Sequence, residues 1–513
     1  VSKPDSSPVS LVWLRNDLRL EDNPALVAGI EAAGDHGAVV VVYVLEEPDA
    51  AEYPLPFQSA SQEENSEEAR QSVPNSNAPR PLGGASRWWL HHSLTALASS
   101  LRAIGGELVL RRGNAASVIP ELAHEVNATG VYWNRRYTNA RAVDGVIKSR
   151  LRTSGIDAHS FQANLLHEPW TVSTGSGTPF RVFTPYWRAC LSRPLPRAPL
   201  PAPERITTPL TAVASDDLSS WNLLPQNPDW ASGLRETWQP GEQAALTRLS
   251  AFLEVGLASY HRRDEPSEAV NSMLSPHLRF GEISPFQVWH AVDSARRTEL
   301  SGQSLDNAAK FLSEIGWREF NASILFYMPY LRDQNVRPEF DAFPWKETDP
   351  HQLKAWQTGQ TGVPLVDAGM RELWHTGIMH NRVRMVAASF LIKNLLVDWR
   401  IGEAWFWDTL VDADEASNPG NWQWVAGSGV DAAPYFRVFN PETQAKKFDP
   451  EAHYIQRWVP EFEGDAAGKR APGAETLFGG SYPAPIVDLR ETRVAALAAY
   501  DEMRAVGLYR GSQ

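Results

Sequence analysis

The chain has 513 residues, 43% hydrophobic and 21% charged, the balance of an ordinary soluble globular protein and too long for one core. Its net charge of −13 argues against indiscriminate nucleic-acid binding, while leaving room for a local basic face. Cys190 is the only cysteine, which excludes an intramolecular disulfide and a cysteine-ligated cluster, and no apolar run is long enough to span a bilayer.

The first residues, VSKPDSSPVS, lack a basic region followed by an apolar one, so no secretory signal is expected; with the single cysteine this implies a cytoplasmic setting. Residues 10–165 alternate between short apolar runs and helical patterns. Leu11–Leu14, Ala38–Leu45, Leu108–Leu110 and Val131–Trp133 suit buried parallel strands. Pro24–Ala33, Trp88–Ile104 and Ala116–Val126 carry helical periods between them. The alternation predicts an α/β, doubly wound parallel sheet domain over 1–165. No G-x-G-x-x-G follows the first strand, so the usual dinucleotide fingerprint is missing. Residues 50–83 are polar, acidic and rich in turn formers, which predicts a flexible surface insertion. An interdomain linker is expected over 166–241, proline-rich and aperiodic from Arg193 to Gln239. Helical periods then dominate, at Ala245–Leu257, Ser284–Ala295, Ala308–Ile324, Asp367–Thr376 and Asn381–Leu396, and predict an all-α domain over 242–513 that carries the chemistry.

The densest chemistry lies in Asp412–Asp449, DADEASNPGNWQWVAGSGVDAAPYFRVFNPETQAKKFD. Carboxylates and an amide can grip a polar heterocycle and the hydroxyls of a nucleotide cofactor. Indoles can stack on bases or pass electrons, and Arg and Lys can hold phosphates. Four further motifs precede it: YHRRDEP (Tyr260–Pro266), NSMLSPHLRFGEIS (Asn271–Ser284), FLSEIGWREF (Phe311–Phe320) and TGVPLVDAGMRELWHTGIMHNRVRM (Thr361–Met385). In the third, Glu314 and Trp317 stand three apart and share a helix face.

In this order, together with WLRNDLRLEDNPAL near the start, the motifs resemble those of the photolyase/cryptochrome family over nearly the whole chain. The resemblance implies an FAD site in the helical domain. Asn271, Ser272, Leu274 and Ser275 match the phosphate-binding turn, Tyr260, Phe311 and Arg318 surround the cofactor, and Arg384 and Asp412 bracket the isoalloxazine. Asp414 matches a cofactor hydrogen-bonding position. Asn418 matches the side chain facing flavin N5, where an amide favours reduced flavin and plant cryptochromes carry aspartate. Trp317 and Trp424 match the walls that stack a flipped-out lesion, Met385 a soft apolar contact, Glu314 the acid on the lesion carbonyls, and Asn381 and Arg382 the polar edge. Arg263, Arg437 and Lys447 match DNA phosphate contacts. Trp422, Trp399 and Trp345 match an electron relay to the surface. No metal is expected. A second chromophore, folate or deazaflavin, is expected in the sheet domain, although Ala140 stands where folate-binding relatives carry an acid. The implied activity is light-driven splitting of cyclobutane pyrimidine dimers in DNA, by a monomer without a membrane partner. The alternative is a cryptochrome-like blue-light photoreceptor.

Overall fold

The computed structural model describes residues 7–46, 80–298, 300–432, 436–462 and 482–510. The apolar runs of the first 165 residues form a parallel sheet of β1 (Val9–Leu14), β2 (Ala38–Leu45), β3 (Leu108–Arg112), β4 (Gly130–Asn134) and β5 (Asp157–Phe161), in the order β3-β2-β1-β4-β5. Connections run through α1 (Pro24–Ala33), α2 (Gly84–Ala103), α3 (Ala115–Glu125) and α4 (Arg141–Thr153). Alternate strand residues separate two cores. Val12, Leu14, Val39 and Val41 face α1 and α2, whereas Leu11, Trp13, Val40 and Val42 face Ile119 of α3 and Ile147 of α4. Every residue of β2 is buried, because helices cover both faces of a parallel sheet. Two elements escape a periodicity search. α4 is a polar helix, in which only Asp144, Ile147 and Leu151 are buried, and β5 is an edge strand with one fully buried residue, Ala158.

The insertion expected over 50–83 falls mostly outside the described residues, but its last four residues are pinned. Arg80 stacks 4.0 Å over Trp407 and ion-pairs with Glu403 at 2.6 Å, and Pro81 O accepts the Trp407 indole N–H at 2.8 Å. Within the stretch expected as linker, α5 (Phe183–Leu191) packs Phe183, Tyr186 and Trp187 against Tyr260, Phe286 and Phe311 of the helical part. The proline-rich run lies across both domains, with Asp22 N–H bonding Leu200 O at 2.8 Å, Val39 N–H bonding Thr207 O at 2.8 Å and His290 Nε2 bonding Pro196 O at 3.0 Å.

The rest is helical: α6 (Ser232–Thr237), α7 (Glu242–Ala251), α8 (Ser275–Phe280), α9 (Pro285–Thr298), α10 (Gln303–Tyr327), α11 (Pro350–Gln357), α12 (Pro364–Thr376), α13 (Asn381–Ser389), α14 (Trp399–Thr409), α15 (Ser417–Ala426), α16 (Pro441–Phe448), α17 (His453–Trp458) and α18 (Leu489–Arg510). Two expected helices change pitch. The period over Ala245–Leu257 passes into a π turn at Phe252–Gly256, and that over Asn381–Leu396 into one at Phe390–Asn394. Such turns insert a residue and re-aim side chains, a change that apolar periodicity does not resolve. The domains are locked together by Arg19, fully buried, which donates to Gly281 O at 2.8 Å and Ala163 O at 3.2 Å. Gly281 has φ +66°, and a Cβ there would lie 2.0 Å from Asn16 O, so only glycine lets the first strand's loop reach the helical domain.

Candidate active site

Three groups gather most of the expected site residues. In the first, the Asp412 carboxylate accepts from Arg384 at 2.9 Å and from the Ser275 hydroxyl at 2.7 Å. This joins the start of α8 to α13 and to the loop before α15. Met273, at φ +53°, turns the chain into α8, whose N-cap Leu274 supplies no side-chain acceptor. The first amides of that helix are therefore open to an acidic ligand. Asn271 and Ser272, beside the turn, make no side-chain hydrogen bond among the described residues.

The second group centres on Asn418. Its Nδ2 donates to Glu403 Oε1 at 2.8 Å and Glu403 O at 3.0 Å. Because a carboxylate and a carbonyl can only accept, the amide orientation is determined, and Oδ1 is left as the outward acceptor. Glu403 is held in turn by both arms of Arg80, at 2.6 and 2.9 Å. Asn418→Asp will place two carboxylates in this contact and remove the donor. We expect the buried like charges and the lost donor to destabilise the fold by about 1–3 kcal/mol. Unfolding of the variant and the wild type under one set of conditions checks this; an unchanged midpoint rejects it.

The third group is the rim. Glu314 lies 2.8 Å from Lys310 and 4.0 Å from Arg263. Arg263 also sits 5.7 Å over Tyr260, which meets Phe311 edge-on at 5.5 Å. Arg382 pairs with Asp264 at 2.9 Å, covers Phe448 at 4.4 Å and approaches Met385 Sδ at 3.9 Å. Asn381, first in α13, is exposed. Arg382, Arg437 and Lys447 line a groove of about 790 Å³ with Arg262 and Arg493, five cations against the two carboxylates of Asp264 and Glu265. A chain of net charge −13 thus presents a locally basic face. The Trp424 indole donates to Asp431 O at 3.0 Å, and Arg437 lies 6.0 Å from its ring. Trp317 is half-buried, with Phe183 stacked on it at 3.9 Å.

Some expected residues are engaged elsewhere. Arg318 donates to Asn164 O at 2.7 Å, tying α10 to the sheet domain. Asp414 Oδ1 accepts from the amides of Ala416 and Ser417, at 3.0 and 2.7 Å, and starts α15. Trp422 and Trp399 are buried and Trp345 is half-buried in one cluster, but no ring contact joins the three. Trp422 meets Phe406 at 4.9 Å and Trp356 at 6.3 Å instead. Ala140, at the start of α4, is 3% exposed and offers no polar side-chain atom to a folate.

Sequence reasoning missed Glu403, Arg80, Phe183 and Lys393. A lone acid in the aromatic run WRIGEAWFW was the available signal for Glu403. Lys393, in the π turn after α13, bonds Arg437 O; burial, then the Arg437 charge, pushes its pKa down to about 7. Taken together, an outward amide acceptor, an Arg–carboxylate pair and an uncapped helix start fit a flavin nucleotide.

Residues 311–502 match the family model for the FAD binding domain of DNA photolyase, and residues 10–204 match that for DNA photolyase. A deoxyribodipyrimidine photo-lyase of Agrobacterium fabrum is 46% identical over 96% of this chain and 98% of its own. Cryptochrome-1 of Arabidopsis thaliana is 34% identical over 98% of this chain and 72% of its own. The crystal structure of a bacterial class III photolyase from Agrobacterium tumefaciens superposes with a TM-score of 0.86 at 45% identity, covering 98% of this chain and 99% of that one. The sheet domain, the helical domain and the motifs between them make this chain a member of the photolyase/cryptochrome family.

Proposed function

We propose that this protein is a light-dependent DNA-repair enzyme that splits cyclobutane pyrimidine dimers, with FAD as its cofactor. The observation that carries this reading is the Asn418 amide, whose donor is locked on Glu403 and whose acceptor is free. An acceptor at that place favours a flavin carrying a proton at N5, the reduced form. When bound and photoexcited, reduced FAD supplies the electron that opens the cyclobutane ring.

The chain's own residues bind and orient. Asn271, Ser272 and the α8 amides take the diphosphate, and Arg384 with Asp412 holds the ring system. A damaged pyrimidine pair leaves the duplex at reduced cost, and Trp317 and Trp424 stack its bases while Met385 fills the apolar edge. In its protonated form the Glu314 carboxyl donates a hydrogen bond to the base carbonyls of the docked dimer. Arg263, Arg437 and Lys447 meet backbone phosphates.

The test is illumination of the flavin-reduced protein with a dimer-containing oligonucleotide, followed by chromatography. Splitting supports the reading, and an intact dimer alongside normal flavin photochemistry favours a photoreceptor. That second reading draws on plant cryptochromes 34% and 35% identical over 98% of this chain.

Arg382 separates lesion recognition from general DNA binding. We expect Arg382→Ala to weaken binding of dimer DNA about tenfold and of undamaged DNA less than about twofold. Titrations of the two duplexes at one salt concentration check it; equal losses would make Arg382 a phosphate contact.

A further inference from the structure

We propose that Phe183 is a positioning residue for the lesion pocket, holding its two indole walls through one short segment, Arg181–Phe183, at the start of α5. The proposal rests on the reading of Trp317 and Trp424 as those walls. Phe183 lies 3.9 Å from Trp317, centroid to centroid, with the rings 8° from parallel. A stack this close covers one face of the indole and leaves the other for a base. Behind it the column continues into the core. Trp187 stacks on Phe183 at 6.5 Å and 11°, and Trp289 closes on Trp187 edge-on at 6.2 Å. Gly316 makes room for this column, since a Cβ there would lie 2.5 Å from the Trp187 ring.

The same segment reaches the opposite wall. Arg181 O accepts from Asp431 N–H at 3.1 Å. Asp431, at φ +51°, turns its own carbonyl onto the Trp424 indole N–H at 3.0 Å. Trp317 stands on α10 and Trp424 on α15. A three-residue piece of the expected linker therefore braces a ring on each. Bracing of this kind lowers the ordering cost that a flipped dimer meets on entry, which makes it a determinant of affinity for the lesion rather than for duplex backbone.

The test is titration of dimer-containing and undamaged oligonucleotides against the flavin-loaded wild type, Phe183→Leu and Phe183→Tyr. Phe183→Leu is expected to weaken dimer binding about tenfold and undamaged binding less than about twofold, and Phe183→Tyr, which keeps the ring, to retain the wild-type preference. Should the leucine variant fail to retain flavin, Phe183→Met keeps the volume and serves in its place. A folded variant that binds dimer DNA like the wild type, or loses equally on both DNAs, overturns the brace while leaving the repair reading standing. A wild type that does not prefer dimer DNA overturns both.

Discussion

With its flavin reduced and under illumination, the protein will split cyclobutane dimers and leave (6-4) photoproducts unchanged. Reversal of a (6-4) product moves an oxygen between bases, and that needs proton transfer by an acid–base pair near neutral pH. The pocket-edge residues Asn381 and Met385 on α13 exchange no proton near neutral pH. The nearby His380 does not supply one either. Its Nε2 donates to Arg263 O at 2.8 Å, and its Nδ1 accepts the Arg382 amide at 3.2 Å as the cap of α13. Burial, the largest cause, pushes its pKa down to about 4. At neutral pH the ring is therefore uncharged, with both nitrogens occupied. Under the proposed function, dimer splitting needs only an electron and a hydrogen bond from Glu314. Oligonucleotides carrying each lesion, resolved by chromatography after illumination, check the expectation. Reversal of the (6-4) product would show that another residue handles the proton.

Trp422→Phe will bring photoreduction of oxidised flavin down to background, while repair by chemically reduced protein stays within about twofold. Under the proposed function the repair cycle returns its own electron, so only refilling of the flavin would draw on the indole. Trp422 is 3% exposed, and its ring occupies the space that Gly402 leaves open, since a Cβ at Gly402 would lie 2.2 Å from it. Phenylalanine keeps an aromatic ring against Phe406 and Trp356, and the lost volume costs about 1–2 kcal/mol, a loss a chain of this size tolerates. Flavin content and the repair rate of the pre-reduced variant separate a lost donor from a damaged fold. Photoreduction at the wild-type rate would remove Trp422 from the relay.

Local pattern was enough for part of this protein. The span of β2, Ala38–Leu45, and that of α1, Pro24–Ala33, follow from contiguous residues, because a buried strand is apolar throughout and a helix is opened by Asn23 followed by proline. The run Asp412–Asn418 was legible for the same reason: its chemistry is packed into seven neighbouring residues. The pairing of Arg384 with Asp412 was expected from resemblance, and Ser275 joins it in the fold. What the tertiary structure alone decided is which partners hold these groups. Arg80 reaches Glu403 across 323 residues of chain, and through Glu403 it sets the Asn418 amide. Phe183, in a stretch that reads as linker, lies under Trp317. The π turn after α13 buries Lys393 beneath Arg437. None of these contacts leaves a periodic trace, because side-chain periodicity reports which face of an element is buried and not what it is buried against. The site's chemistry could thus be read from its own residues, and its geometry came from residues whose only local mark was that they are apolar, aromatic or singly charged.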